Sequence, residues 1–309
     1  MIDESGLPKK CLCCSYSQIE VFLQCAYRWF RDYLKGERSH AKQEALDLGS
    51  SVHLTMQEYC EAMKHGKKWE LAEAIDLLDI NMELQEIEFS SEESKEEAVE
   101  QHRNMIEGLV SGTSKLAKLL EGCEIVACEK DFQYKLDLPF LVRSEEEIYS
   151  SVYIIGSIDL IIKDSAGNLI VVDYKSGKKV FDNSKLKNNL QLPIYSLVVK
   201  SIYGRLPIRT LYYFTRLDEI QDVQPLALNS DEAIVEKYKN GKIKSIQRTI
   251  EDVRNTLLDI FTSMYRPQKY RAKPSPLCSW CTHGAYDKND CQFKQLYYRK
   301  DIELPDGVY

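Results

Sequence analysis

Two short stretches carry the residue types that phosphodiester hydrolysis needs: Gly156-Ser157-Ile158-Asp159, then Asp173-Tyr174-Lys175. Asp159 interrupts the apolar run from Ile158 to Ile162. A carboxylate in such a run has to be paired or to ligate a metal, because an isolated buried one is costly. Asp173 closes a second apolar run, Ile170-Val171-Val172. Residues i and i+2 of a strand share a face, so Asp173 and Lys175 project together. Tyr174 then points to the other side and could offer its carbonyl oxygen. A hairpin pairing about Ala166 would set Asp159 across the ladder from this pair. Two carboxylates beside an ammonium suit metal-assisted hydrolysis. Mg²⁺ or Mn²⁺ lowers the pKa of water and neutralises charge in the transition state, and a lysine orients the nucleophile or stabilises the same charge. Taken alone, the three residues also fit an exposed Asp–Lys ion pair on a surface hairpin.

A second group is soft. Cys278-x-x-Cys281 followed by Cys291 supplies three thiols, and Cys25 near the N-terminus is a candidate fourth. With His283 the C-terminal three would make a zinc site, whereas four thiolates satisfy a [4Fe–4S] cluster. Of the ten cysteines, Cys60, Cys123 and Cys128 lie in apolar patterns and read as core, and Cys11, Cys13 and Cys14 as thiols on a frayed terminus. Met1–Lys10 is polar and lacks the apolar segment of a signal peptide. The expected compartment is therefore the cytoplasm, where cysteines serve as ligands or buried thiols rather than as a disulfide framework.

These groups must be held by elements that the hydrophobic pattern outlines. Gln18–Leu34 carries a helical stripe with Ser17 as its N-cap. Leu46–Met63, Trp69–Ile87 and Lys95–Leu120 read as helices, and no segment there alternates at period two. From Ile125 the pattern changes: Glu124–Leu136, Ser151–Lys163 and Asn168–Tyr174 read as strands, with hairpin turn chemistry over Asp164–Asn168. Asn189–Tyr203 returns to helix, Thr210–Thr215 is a short buried strand, and Asp231–Tyr265 reads as an amphipathic helical stretch broken near Asn240-Gly241. This order predicts an α/β fold with a mixed central sheet flanked by helices.

Gly156-x-x-Asp159, Asp173-Tyr174-Lys175-Ser176-Gly177-Lys178 and Gln191-x-x-x-Tyr195 together resemble the PD-(D/E)XK nuclease superfamily, in its RecB-like branch. Leu48-Gly49-Ser50-Ser51-Val52-His53 resembles that branch's early Gly-x-x-x-His element, and Glu129 an acidic position on the strand before the hairpin. The resemblance implies a restriction-endonuclease-like core and a metal-dependent DNA nuclease. Asp159, Asp173, His53 and the Tyr174 carbonyl would ligate Mg²⁺ or Mn²⁺, Lys175 would act on the nucleophile or transition state, and Gln191 with Tyr195 would position substrate. Gln191 and Tyr195 share a helix face, with Pro193 between them, which is tolerated only in a first turn. The opening helix Gln24-Cys25-Ala26-Tyr27-Arg28-Trp29-Phe30 resembles the iron–sulfur subgroup of the branch, which includes CRISPR-associated adaptation nucleases and bacterial helicase–nuclease subunits. In that subgroup one cysteine before the core and three after it hold a [4Fe–4S] cluster, which implies Cys25, Cys278, Cys281 and Cys291 here.

The expected organisation is an N-terminal helix carrying the first cluster cysteine (1–40), a helical subdomain (41–123), the nuclease core (124–265) and a cluster-binding C-terminal region (266–309). The formal net charge of −7 argues against indiscriminate coating of nucleic acid, but eight glutamates fall in Glu83–Glu100, which reads as a solvated face. Three basic stretches remain: Lys178, Lys179, Lys185 and Lys187; Lys237, Lys239, Lys242, Lys244 and Arg248; and Lys269, Arg271 and Lys273. Interleaved with Tyr238, Tyr265 and Tyr270, they could track a phosphate backbone while stacking bases. The expected activity is exonucleolytic, on single strands or duplex ends, in repair, recombination, phage DNA processing or CRISPR adaptation. No membrane role is expected, and a helicase partner would be a separate chain. The alternatives are a non-catalytic iron–sulfur DNA-binding subunit and a zinc-binding interaction protein.

Overall fold

The computed structural model describes residues 11–38, 44–87, 89, 91–143, 147–227, 234–241, 243–267, 269–284 and 290–293. In chain order the elements are β1 (Leu12–Ser15), α1 (Tyr16–Gln24), α2 (Ala26–Trp29, continued by a π turn over Phe30–Leu34), α3 (Glu44–Lys64), α4 (Leu71–Leu84), α5 (Glu92–Val110), α6 (Lys115–Leu120), β2 (Glu124–Arg143), β3 (Ile148–Lys163), β4 (Leu169–Lys175), α7 (Asn183–Asn188), α8 (Gln191–Tyr203), β5 (Arg209–Phe214), β6 (Glu219–Val223), β7 (Ile234–Lys237), β8 (Ile243–Gln247) and α9 (Ile250–Tyr265). They form two compact units, residues 42–134 with 156–253 and residues 1–41 with 135–155 and 254–309.

The larger unit is built on a mixed sheet. β3 pairs antiparallel with β4 in the register Leu160↔Val172, Ile161↔Val171 and Ile162↔Ile170, which is the hairpin about Ala166. Its turn is closed by Asp164, whose carboxylate accepts the Asn168 N–H at 2.8 Å. β4 then pairs parallel with β5, and β5 antiparallel with the edge strand β6. β4 is buried along its length up to Tyr174, which explains its unbroken apolar run. On α3, Leu48, Val52, Met56 and Cys60 form one buried stripe against the core of α4, α5 and the sheet. α8 begins at Gln191, so Pro193 lies in its first turn and costs no helical hydrogen bond.

Some elements differ from the sequence reading. The segment Asp231–Tyr265 is not helical throughout: β7 and β8 form a hairpin before α9 begins at Ile250. The β-branched pairs Ile234-Val235 and Ile243/Ile246 favour strands, and Gly241 turns the chain at φ 80°. The expected helix Lys95–Leu120 is two, because Ser114 starts α6 by accepting the Ala117 N–H at 3.1 Å. β6 leaves no trace in the sequence pattern, because an edge strand with polar residues carries little alternation.

In the smaller unit β1 pairs parallel with β3 from Leu12↔Val152 to Ser15↔Ile155, so Cys13 and Cys14 lie in a strand and not on a frayed terminus. Cys14 is fully buried. Ser15 rather than Ser17 caps α1, accepting the Gln18 N–H at 3.3 Å. The continuous helix expected over Gln18–Leu34 breaks at Cys25, whose backbone is extended. Trp29 is buried beside Phe22, Tyr265 and Tyr270, and Tyr270 stacks on Phe30 at 4.8 Å between ring centroids. Among the described residues no helix is long and apolar enough to cross a membrane.

Candidate active site

Along the β3–β4 register the pair after Leu160↔Val172 is Asp159 with Asp173, so the hairpin carries two carboxylates at one end of a buried ladder. Asp159 is fixed by its own hairpin, since its Oδ2 accepts the Tyr174 N–H at 2.6 Å. Asp173, 1% exposed, lies with Oδ2 at 2.5 Å from Lys175 Nζ. The lysine is held from further sides: Nζ donates to Gln191 Oε1 at 3.0 Å and sits 5.4 Å from the centre of the Tyr212 ring. Gln191 Nε2 in turn donates to the Tyr195 hydroxyl at 3.1 Å. Asn189 Oδ1 accepts from both the Gln191 N–H and the Tyr212 hydroxyl, which ties the start of α8 to β5. The surface ion-pair account therefore fails, because Asp173 is buried and its half-buried partner Lys175 is part of a network.

α3 supplies His53, with Nδ1 at 3.7 Å from Asp159 Oδ2 and 4.0 Å from Glu129 Oε1. Gly49, one turn earlier, allows this approach: a Cβ there would lie 2.7 Å from Ser176 Oγ. Glu129 reaches the group through a break in β2. Ile125 and Ala127 are buried, then the buried positions switch parity to Phe132, Leu136 and Leu138. Glu129 sits in between with φ 41°, a left-handed backbone for a non-glycine residue and the mark of a bulge that re-aims the chain. His53, Glu129 and Asp159 offer donor atoms within 4.8 Å of one another. Asp173 is turned to Lys175 instead of completing that trio, and the Tyr174 side chain points away, its hydroxyl 3.7 Å from Cys60 Sγ. Asp131 and Ser157 also line the cleft, and neither stands out in the sequence pattern.

The electrostatics favour a cation. Burial, then the charges of Asp173 and Glu129, pushes the Asp159 carboxyl well above its usual range. Burial also raises Glu129, and it raises Asp173 against the opposing pull of Lys175. Burial and the Lys175 charge lower His53 to about 4, so its imidazole is neutral at neutral pH, as a metal ligand must be. A neutral histidine with two mutually repelling carboxyls is a donor set that suits Mg²⁺ or Mn²⁺.

The smaller unit holds the cysteine centre. Cys25, Cys278, Cys281 and Cys291 line one cavity. Main-chain amides aim at two of the sulfurs, Lys273 N–H at Cys25 and Ser275 N–H at Cys278, each at 3.4 Å. Burial raises the Cys281 and Cys291 thiols. His283 lines the same cavity and is 1% exposed, with Nε2 at 2.6 Å from Asp32 Oδ1 and Nδ1 without a hydrogen bond among the described residues.

The profile of the PD-(D/E)XK nuclease superfamily matches residues 14–286. One of the component chains of the ATP-dependent helicase/deoxyribonuclease of Clostridium botulinum is 27% identical across 95% of this chain. The chain spans about a third (32%) of that relative's length. Among solved structures it is similar to SSO0001, at 14% identity and a TM-score of 0.31, over 90% of this chain and 95% of that one.

Proposed function

Since the chain belongs to the PD-(D/E)XK nuclease superfamily, we propose that it hydrolyses DNA with Mg²⁺ or Mn²⁺, as an exonuclease on single strands or duplex ends. The observation that carries the reading is the convergence of Asp159, Glu129 and His53 within 4.8 Å, beside the Asp173–Lys175 pair. The ion would be held by Asp159, Glu129 and His53, with Asp173 as a further ligand once Lys175 turns toward substrate. Bound there, it supplies Lewis acidity and an acidified water. Lys175 keeps its ammonium at the scissile phosphate and offsets charge developing on the phosphoryl oxygens. Gln191 holds that ammonium in place, and Tyr195 holds Gln191. Positioning of this kind governs phosphoryl transfer, where the protein does little covalent chemistry.

The four cysteines are proposed to hold a [4Fe–4S] cluster. Two main-chain N–H groups already aimed at sulfur support this, since hydrogen bonds to thiolates stabilise such clusters. Zinc held by Cys278, Cys281, Cys291 and His283 is the competing reading, since Asp32 engages only Nε2 and leaves the buried Nδ1 without a hydrogen bond. The helicase/deoxyribonuclease relative suggests that a separate helicase chain is the natural partner. The test is cleavage of end-labelled single-stranded DNA by anaerobically purified protein. Fragments that appear with Mn²⁺ and are absent without it are expected. No fragments from cluster-loaded protein, with Mn²⁺ bound, would overturn the nuclease reading in favour of a non-catalytic DNA-binding role.

A further inference from the structure

The smaller unit carries a cationic track leading to an exposed indole. Residues 269–275 lie outside any helix or strand, and exposure alternates along them: Lys269, Arg271 and Lys273 are exposed, Tyr270 and Ala272 half-buried. The inward side is pinned. Tyr270 stacks on Phe30 at 4.8 Å and its hydroxyl donates to the Met264 carbonyl at 2.9 Å. The Arg271 carbonyl accepts the Tyr27 N–H at 3.1 Å, and the Lys273 N–H reaches Cys25 Sγ at 3.4 Å. The alternation is that of an extended chain, which advances about 3.3 Å per residue and would set the three cations roughly 6.6 Å apart along one side, close to the phosphate repeat of an extended single strand. Among the described residues none of the three enters an ion pair, so their charge is available.

The segment ends at a capped turn, Pro276–Ser279, where Ser275 accepts the Leu277 N–H at 3.3 Å and Trp280 N–H donates to Leu277 O at 3.0 Å. These bonds fix the backbone of Trp280, yet its side chain is 74% exposed, beside Leu277 at 54%. A large aromatic on a rigid backbone with its face in water is a stacking platform. The sequence pattern suggests Tyr265 and Tyr270 for this role, but both rings are used in packing. The geometry points to a single-stranded DNA subsite: phosphates run along Lys269, Arg271 and Lys273, and a base stacks on Trp280. This deepens the nuclease reading, on which it rests for the nature of the polymer.

The subsite is tested by binding rather than cleavage. Anaerobically purified, cluster-loaded protein is titrated with fluorescein-labelled oligo(dT) without divalent metal, following anisotropy and tryptophan emission. Trp29 is buried and Trp69 half-buried, so quenching on binding reports chiefly on Trp280. Trp280→Ala is expected to weaken binding about tenfold and to remove most of the quenching. The triple variant Lys269→Gln, Arg271→Gln, Lys273→Gln is expected to flatten the slope of log affinity against log salt by about 2, at roughly 0.7 per phosphate contact. Both variants should keep the parent's iron content and circular dichroism. Parental affinity in both would overturn the subsite. A blunt duplex, or polyglutamate, bound as tightly with the same sensitivity to Trp280→Ala would overturn its assignment to single strands. Protein that binds oligo(dT) through Trp280 but cuts nothing in Mn²⁺ would refute the nuclease reading and leave the subsite standing.

Discussion

Replacing Asp159 by Asn should stabilise the metal-free protein while abolishing its response to metal. Asp159 and Glu129 present oxygens within 4.8 Å of each other. At that distance and an effective dielectric of about 20, two negative charges repel by about 3.5 kcal/mol. Screening at Glu129, whose side chain is 25% exposed, reduces the gain from neutralising one of them to about 1–3 kcal/mol. Asparagine keeps an oxygen for the Tyr174 N–H, so the hairpin loses no hydrogen bond. At about 2–4 °C per kcal/mol for a unit of this size, the metal-free melting temperature should rise by roughly 2–12 °C. The parent should instead gain about 2.7 kcal/mol from Mn²⁺ at about 100 times its Kd, and the variant almost nothing. Differential scanning fluorimetry in mildly alkaline buffer, with and without Mn²⁺, measures both effects. The sign with pH follows from the raised carboxyls of Asp159, Glu129 and Asp173. Above the unfolded carboxyl range the folded parent holds protons that the unfolded chain releases, so its metal-free stability falls as pH rises, and Asp159→Asn flattens that fall. A variant that melts below the parent without metal, or that keeps the Mn²⁺ shift, would refute the reasoning.

Further outcomes follow from the same geometry. Lys175→Met should lower the single-turnover cleavage rate by about 10²-fold or more while leaving a Mn²⁺ thermal shift at least as large as the parent's, since the lysine is not a ligand and its loss frees Asp173. The folded His53 titrates at about 4 instead of 6.5. It therefore adds stability that is present above 6.5 and lost as pH falls to about 4, and His53→Asn should remove that part of an acid-unfolding curve. Gly284→Ala would drive a Cβ into the Cys278 carbonyl oxygen. The backbone carrying two cysteines must then shift, and the iron content of purified protein should fall. His283→Leu leaves Asp32, 5% exposed, to its ion pair with Arg28. Loss of a buried hydrogen-bond partner should lower the unfolding free energy by about 1–3 kcal/mol, read by urea titration.

The residues of the β3–β4 hairpin are legible in the sequence because burial constrains their neighbours. An aspartate inside Ile158–Ile162 and another after Ile170-Val171-Val172 contradict their surroundings, and such contradictions collect at functional sites. The turn at Asp164–Asn168 then fixes the register that joins them. Glu129 is reached through resemblance alone, although a physical signal is present. The buried positions of β2 change parity between Ala127 and Phe132, which a bulge explains. The β7–β8 hairpin reads as helix because its few apolar residues fit a helical stripe as well as a strand, and only long-range pairing decides between them. The direction of the Asp173 carboxylate is not readable either. Strand alternation puts it on the face of Lys175, but the length and rotamers of the two side chains make them partners rather than parallel neighbours.

The central claim is that the hairpin carboxylates and Lys175 form one metal-dependent hydrolytic site. The most direct measurement is single-turnover cleavage of end-labelled single-stranded DNA in Mn²⁺ by parent and Asp173→Ala side by side, with matched iron content and melting behaviour. The account predicts fragments from the parent and none from Asp173→Ala over the same time course. Equal cleavage by both would contradict it and move the chemistry away from this hairpin.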